Sequence, residues 1–152
     1  MGTGPSFEGD GTQAVSHEST VLLQIGAQHS QVRLARLVAA GVATQEGFDV
    51  EAVEDLRISV DEACVWLIGQ GAGTPLALTF TVGADGRLAV SGETERGEAT
   101  SEGTLGRLAA QILAASCAEY AFTFDGTTAR FALVARPPSP EATEPPGSEG
   151  GA

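Results

Sequence analysis

Apolar and polar positions change period several times along the chain, and each change marks an element. From Thr20 to Ile25 the apolar residues alternate, with Val21, Leu23 and Ile25 on one face, which is the two-residue period of a strand. From about His29 to Thr44, Leu34, Leu37, Val38 and Gly41 follow the i, i+3, i+4, i+7 spacing of a helix, and Arg33 and Arg36 lie off that stripe. Gly47 interrupts the pattern, and Asp49 is placed to cap a second helix. That helix runs to about Ile68 with Val53, Leu56, Val60, Cys64 and Leu67 as its buried stripe, and Gly69, Gly71 and Gly73 end it. Leu76, Leu78, Phe80 and Val82 then alternate as a strand, Gly83 to Gly86 turns the chain, and Leu88 and Val90 return. Residues 92–102 are dominated by polar residues, with no large apolar side chain, and read as a loop. A third helix spans roughly Leu105 to Ser116, and a second hairpin follows: Tyr120, Phe122 and Phe124 outward, a turn at Asp125-Gly126, then Phe131 and Leu133 back to Arg136-Pro137.

The order is β-α-α-β-β-α-β-β. Two hairpins imply mainly antiparallel pairing. Three amphipathic helices must bury their stripes, and the economical arrangement is an α/β (α+β) two-layer sandwich: about five strands with three helices on one face. The expected organisation is one domain over residues 17–136. Residues 1–16 are rich in Gly, Ser and Thr, and residues 137–152 in Pro, Gly and Glu; neither composition supports a packed core.

Composition narrows the function classes. The 152 residues carry a formal net charge of −12, which argues against direct nucleic-acid binding, because neutralising phosphates requires a basic face. No apolar run reaches the roughly 18 residues that span a bilayer. The first residues lack the basic and apolar regions of a secretory signal, so a cytoplasmic location without membrane attachment is expected. Cys64 and Cys117 sit among apolar residues and read as two small buried thiols. Together with His17 and His29 they show no metal-ligand spacing, so no metal site is expected.

The element order and the run from Asp55 to Ile68 (DLRISVDEACVWLI) resemble one family. The likeness is to the RsbW-like anti-sigma factors, built on the Bergerat fold of the GHKL ATPases, and within them to the actinobacterial UsfX type. It covers about Ser19 to Ala135. Members with kinase activity carry Glu-Ala-x-x-Asn-Ala on the second helix, where the glutamate is the general base and the asparagine holds magnesium. By that resemblance Glu62 is the candidate catalytic residue, followed by Ala63, while Trp66 stands at the asparagine. An indole offers one N–H donor and no acceptor, so it cannot replace an amide oxygen on a hard cation.

The family's second box, Asp-x-Gly-x-Gly, falls on Val90 to Arg96, with Gly92 at the aspartate that binds adenine and Thr94 and Arg96 at the glycines. Glu93 or Glu95 supplies an acid only after a register shift. The third box places glycines at the start of helix three, where backbone N–H groups face phosphate; Gly103 and Gly106 are the candidates. The resemblance thus leaves ATP and magnesium doubtful as cofactors. It also places a sigma-contacting arginine twenty-six positions before the glutamate, which is the spacing from Arg36 to Glu62, with Arg33 beside it.

Three functions follow as expectations. The first is an anti-sigma factor that sequesters an alternative sigma factor and is released by an anti-anti-sigma factor, acting as a homodimer. The alternative is an active serine/threonine kinase that phosphorylates its antagonist with ATP and magnesium. The third is a dimeric interaction protein outside sigma control, since fold alone does not fix function.

Overall fold

The computed structural model describes residues 18–97 and 105–138. Five strands and three helices follow in the expected order: β1 (Ser19–Ile25), α1 (His29–Gln45), α2 (Val50–Gln70), β2 (Leu76–Val82), β3 (Leu88–Glu95), α3 (Arg107–Ser116), β4 (Cys117–Asp125) and β5 (Thr128–Ala135). The strands form one sheet in the order β1-β2-β3-β5-β4, every neighbouring pair antiparallel. The helices cover the face that receives Leu78, Phe80, Val90, Phe131 and Leu133, all buried. The expected two-layer α+β architecture is the one observed. The expected terminal segments lie, Pro137 and Pro138 apart, outside the described residues.

Local chemistry sets the joints. The Asp49 carboxylate accepts the Ala52 N–H at 2.8 Å and caps α2. Ahead of it, Gly47 takes φ +84°, which lets the Phe48 N–H reach back to the Ala43 carbonyl at 3.0 Å and closes α1. A β-bulge between Cys117 and Glu119 shifts the register at the start of β4.

Two expectations are corrected. On α1 the buried residues are Val32, Ala35, Ala39, Val42 and Ala43, whereas Leu34 is 41% and Leu37 62% exposed and Gly41 faces solvent. The physical reason is the close packing of α1 on α2: alanines let two helices approach where leucines would hold them apart. The second concerns residues 92–102. β3 continues to Glu95, with Gly92 and Thr94 turned into the core, so the first part of this polar stretch is strand. Thr94 hides its hydroxyl by bonding: Oγ1 lies 3.2 Å from the carbonyls of both Thr74 and Pro75 and 3.0 Å from Thr74 Oγ1. Residues 98–102 lie outside the described residues.

Candidate functional site

The packing of α1 on α2 assembles a shallow hollow of about 240 Å³, lined by Arg36, Glu54, Arg57, Ile58, Asp61 and Glu62. Its α2 residues recur at positions 54, 57, 58, 61 and 62, which is the helical spacing of one face, here the face turned away from the core. Arg36 comes from α1 and is not free: its Nη1 donates to Asp61 Oδ1 of α2, with the two side chains 34% and 36% exposed. Arg57 Nη1 donates to Glu54 Oε1 at 3.2 Å, one turn back on the same helix. Glu62 is half-buried and makes no ion pair with any described residue. Arg33 is exposed and also pairs with none of them. The structure therefore brings Arg36 and Glu62 into one site and leaves Arg33 outside it.

Sequence reasoning missed Asp61, Arg57, Glu54 and Ile58 as members of this site. The polar stripe of α2 was readable as a helix face. That Asp61 meets Arg36 follows only from the helix pairing.

Further along α2, Trp66 turns the other way and is buried. Its ring meets Phe122 edge-on at 4.8 Å between centroids and Phe124 at 5.6 Å, both from β4. The Arg96 guanidinium lies 4.6 Å over the Phe124 ring and extends the stack. Trp66 Nε1 is buried without a hydrogen-bond partner among the described residues. Gly92 occupies the middle of the sheet between Leu78 and Phe131, its register partners on β2 and β5. A Cβ there would stand 2.4 Å from the Phe131 ring and 2.6 Å from Leu78 Cδ2. Glu93 and Glu95 point to the opposite face of the sheet from Gly92, and Glu93 accepts from Arg130 Nε at 2.9 Å.

Gly106 caps α3 with its backbone alone at φ −66°, ψ 159°, and its carbonyl accepts the Ala110 N–H at 2.9 Å. A Cβ there would meet nothing within 4 Å, so neither conformation nor space requires glycine. Gly103 lies outside the described residues.

Both cysteines are buried and free. Burial first, and the nearby Asp61 charge second, push the Cys64 thiol up to about 12, with Arg36 acting in the opposite sense. Burial also raises Cys117, whose Sγ–H donates to the Leu113 carbonyl at 3.2 Å. At neutral pH the Cys64 sulfur is a protonated, unreactive thiol. Between pH 9 and about 12 the unfolded chain ionises Cys64 while the folded chain does not, so stability falls as pH rises through that window. Urea melts at pH 8 and pH 10.5 are expected to show a larger loss for the wild type than for Cys64→Ala. Equal losses would mean that Cys64 ionises normally in the fold.

No groups of His, Cys, Asp and Glu able to hold a metal ion occur among the described residues, and no helix there is long and apolar enough to cross a membrane.

No family profile matches the chain. Over 50 residues it is 44% identical to the serine-protein kinase RsbW of Listeria monocytogenes, and equally to that of Listeria innocua. That match covers 33% of this chain and 31% of the relative, so the chain spans about a third of the length of the curated relatives it matches. The crystal structure of the RsbU and RsbW domains of Rv1364c from Mycobacterium tuberculosis superposes with a TM-score of 0.62 at 15% identity. It covers 78% of this chain and 32% of that one. Sheet order, helix placement and these two likenesses agree, and the chain has the RsbW-like GHKL fold.

Proposed function

We propose that the domain is a binding module: an anti-sigma factor that sequesters an alternative sigma factor, restrains its transcription and is released by an anti-anti-sigma factor. The observation that carries this reading is the hollow between α1 and α2. There Arg36, at the family's sigma-contacting spacing, is held by Asp61 beside the exposed apolar edge of Ile58. A guanidinium fixed on one edge keeps its remaining N–H donors for a partner's carboxylate, and that geometry gives direction as well as charge.

Nucleotide chemistry fits these residues poorly. Trp66 offers no oxygen for magnesium and its ring is packed among aromatic neighbours. Gly92 carries no carboxylate for adenine, and its surroundings leave no room for one. We therefore assign no phosphoryl transfer to the domain, although its sequence relatives are named serine-protein kinases. Val21 and Leu22 on β1 and Leu34 and Leu37 on α1 stay exposed, which supports a homodimer through that side.

The test is affinity capture of the tagged chain from its own host extract, with partners identified by mass spectrometry. A stoichiometric sigma factor supports the reading, and its absence beside another specific partner removes it. With that sigma factor, Arg36→Asp is expected to weaken binding by more than about 1 kcal/mol at a temperature where circular dichroism shows the variant folded, although the new carboxylate facing Asp61 lowers its thermal midpoint. Unchanged affinity would take Arg36 out of the interface. Radiolabel moving from γ-labelled ATP to a captured antagonist, and lost in Glu62→Ala, would establish the kinase instead.

A further inference from the structure

We infer that Glu62 serves as a docking carboxylate, and that it takes one basic side chain, arginine or lysine, of the protein partner. The inference rests on the binding-module reading and names the charge that the partner brings to the α1–α2 hollow. Three carboxylates and two arginines line that hollow. Two of the carboxylates are matched: Asp61 holds Arg36, and Glu54 accepts from Arg57 Nη1 at 3.2 Å. Glu62 is half-buried and makes no ion pair with any described residue. With each arginine balanced by one acid, the uncompensated charge of the hollow is negative and sits on Glu62.

The surroundings carry the same sign. Along α2, Glu51, Glu54, Asp55, Asp61 and Glu62 stand against Arg57 alone, and the helix pair stays negative when Arg33 and Arg36 of α1 are counted. The whole chain has a formal net charge of −12, so its field draws a basic surface in and holds an acidic one off. Close to Glu62 the contact has an apolar part. Ile58 lies four positions before it on α2 and Val65 three after, which places all three on one helix face, and both apolar side chains are 39% exposed. A long basic side chain lays its methylene stem along Ile58 and Val65 and sets its charged head on the carboxylate. A pair formed in that half-buried setting is screened by salt less than one in open solvent, and it fixes the register of the two proteins.

The experiment uses the sigma factor that the wild-type chain retains from host extract, purified and titrated by calorimetry without nucleotide at low and high salt. Glu62→Gln keeps the shape of the side chain and removes its charge, so affinity is expected to fall about tenfold and to depend less steeply on salt. Its thermal midpoint is expected to stay that of the wild type, because Glu62 holds no ion pair within the described fold. Glu62→Asp keeps the charge and is expected to lose less affinity than Glu62→Gln. Equal losses for the two variants would mean that shape and not charge is read there, which overturns the inference. Unchanged or tighter binding for Glu62→Gln also overturns it, and a loss for Arg36→Asp in the same titrations then leaves the binding-module reading in place. If the wild type retains no sigma factor, the inference and the reading it rests on fall together.

Discussion

Gly92→Asp, which restores the aspartate of the nucleotide-binding relatives, is expected to unfold much of the domain instead of restoring a site. The cause is steric before it is electrostatic. Gly92 sits in register between Leu78 of β2 and Phe131 of β5, both buried, and these side chains close over the space a Cβ would need. Contacts of 2.4 Å and 2.6 Å are far inside van der Waals distance, and neighbours on two central strands have little freedom to retreat. Overpacking of this kind costs about 1–3 kcal/mol, which is the expectation for Gly92→Ala. The aspartate adds a carboxyl group between Leu78 and Phe131, an apolar setting, so a total of about 4 kcal/mol or more is expected. That is a large share of the roughly 5–15 kcal/mol that holds a domain together. Urea melts of the two variants test it. The alanine variant should also be partly rescued by Phe131→Leu, because the two changes share one space. A Gly92→Ala variant as stable as the wild type would show that the sheet opens easily there.

The second large effect is expected at Trp66. Trp66→Asn restores the magnesium-ligand residue type and removes the ring that Phe122 and Phe124 pack against. Loss of a buried tryptophan leaves a cavity and costs about 3–5 kcal/mol, and the amide that replaces it must find partners in an aromatic setting. Trp66→Phe gives the contrast. It keeps most of the aromatic contact and deletes an N–H that is already buried without an acceptor, so its cost is expected to stay below about 1.5 kcal/mol. Thermal melts with and without magnesium and ATP complete the experiment. Neither variant is expected to gain stability from the nucleotide. A ligand-dependent rise in the midpoint of Trp66→Asn would show that this single exchange had closed the site, and the kinase reading would return.

Much of the fold was legible from the order of residues. The alternation in β2, β4 and β5, the glycine-marked hairpins, the Asp49 cap and the buried stripe of α2 are local features, set by periods of 2 and 3.6 and by turn chemistry. Their order predicted the two-layer architecture, and the run around Glu62 pointed to the fold's relatives. The inward face of α1 was not legible. Hydrophobicity ranks leucine above alanine for burial, but what α2 accepts at close range is the alanine face of Ala35, Ala39 and Ala43. The end of β3 was hidden for a related reason: Gly92 and Thr94 look like loop residues until neighbouring strands supply the crowding at one and the acceptors at the other.

The candidate site divides in the same way. Glu62 and Arg36 stood out in the sequence, by motif and by spacing. Their common hollow and the grip of Asp61 on Arg36 exist only because two consecutive helices pack side by side and bring residues 25 positions apart together. A one-dimensional pattern fixes what each element is and which residues it offers. Which offered groups meet is decided by distances across elements, and those are set by the packing of the whole core.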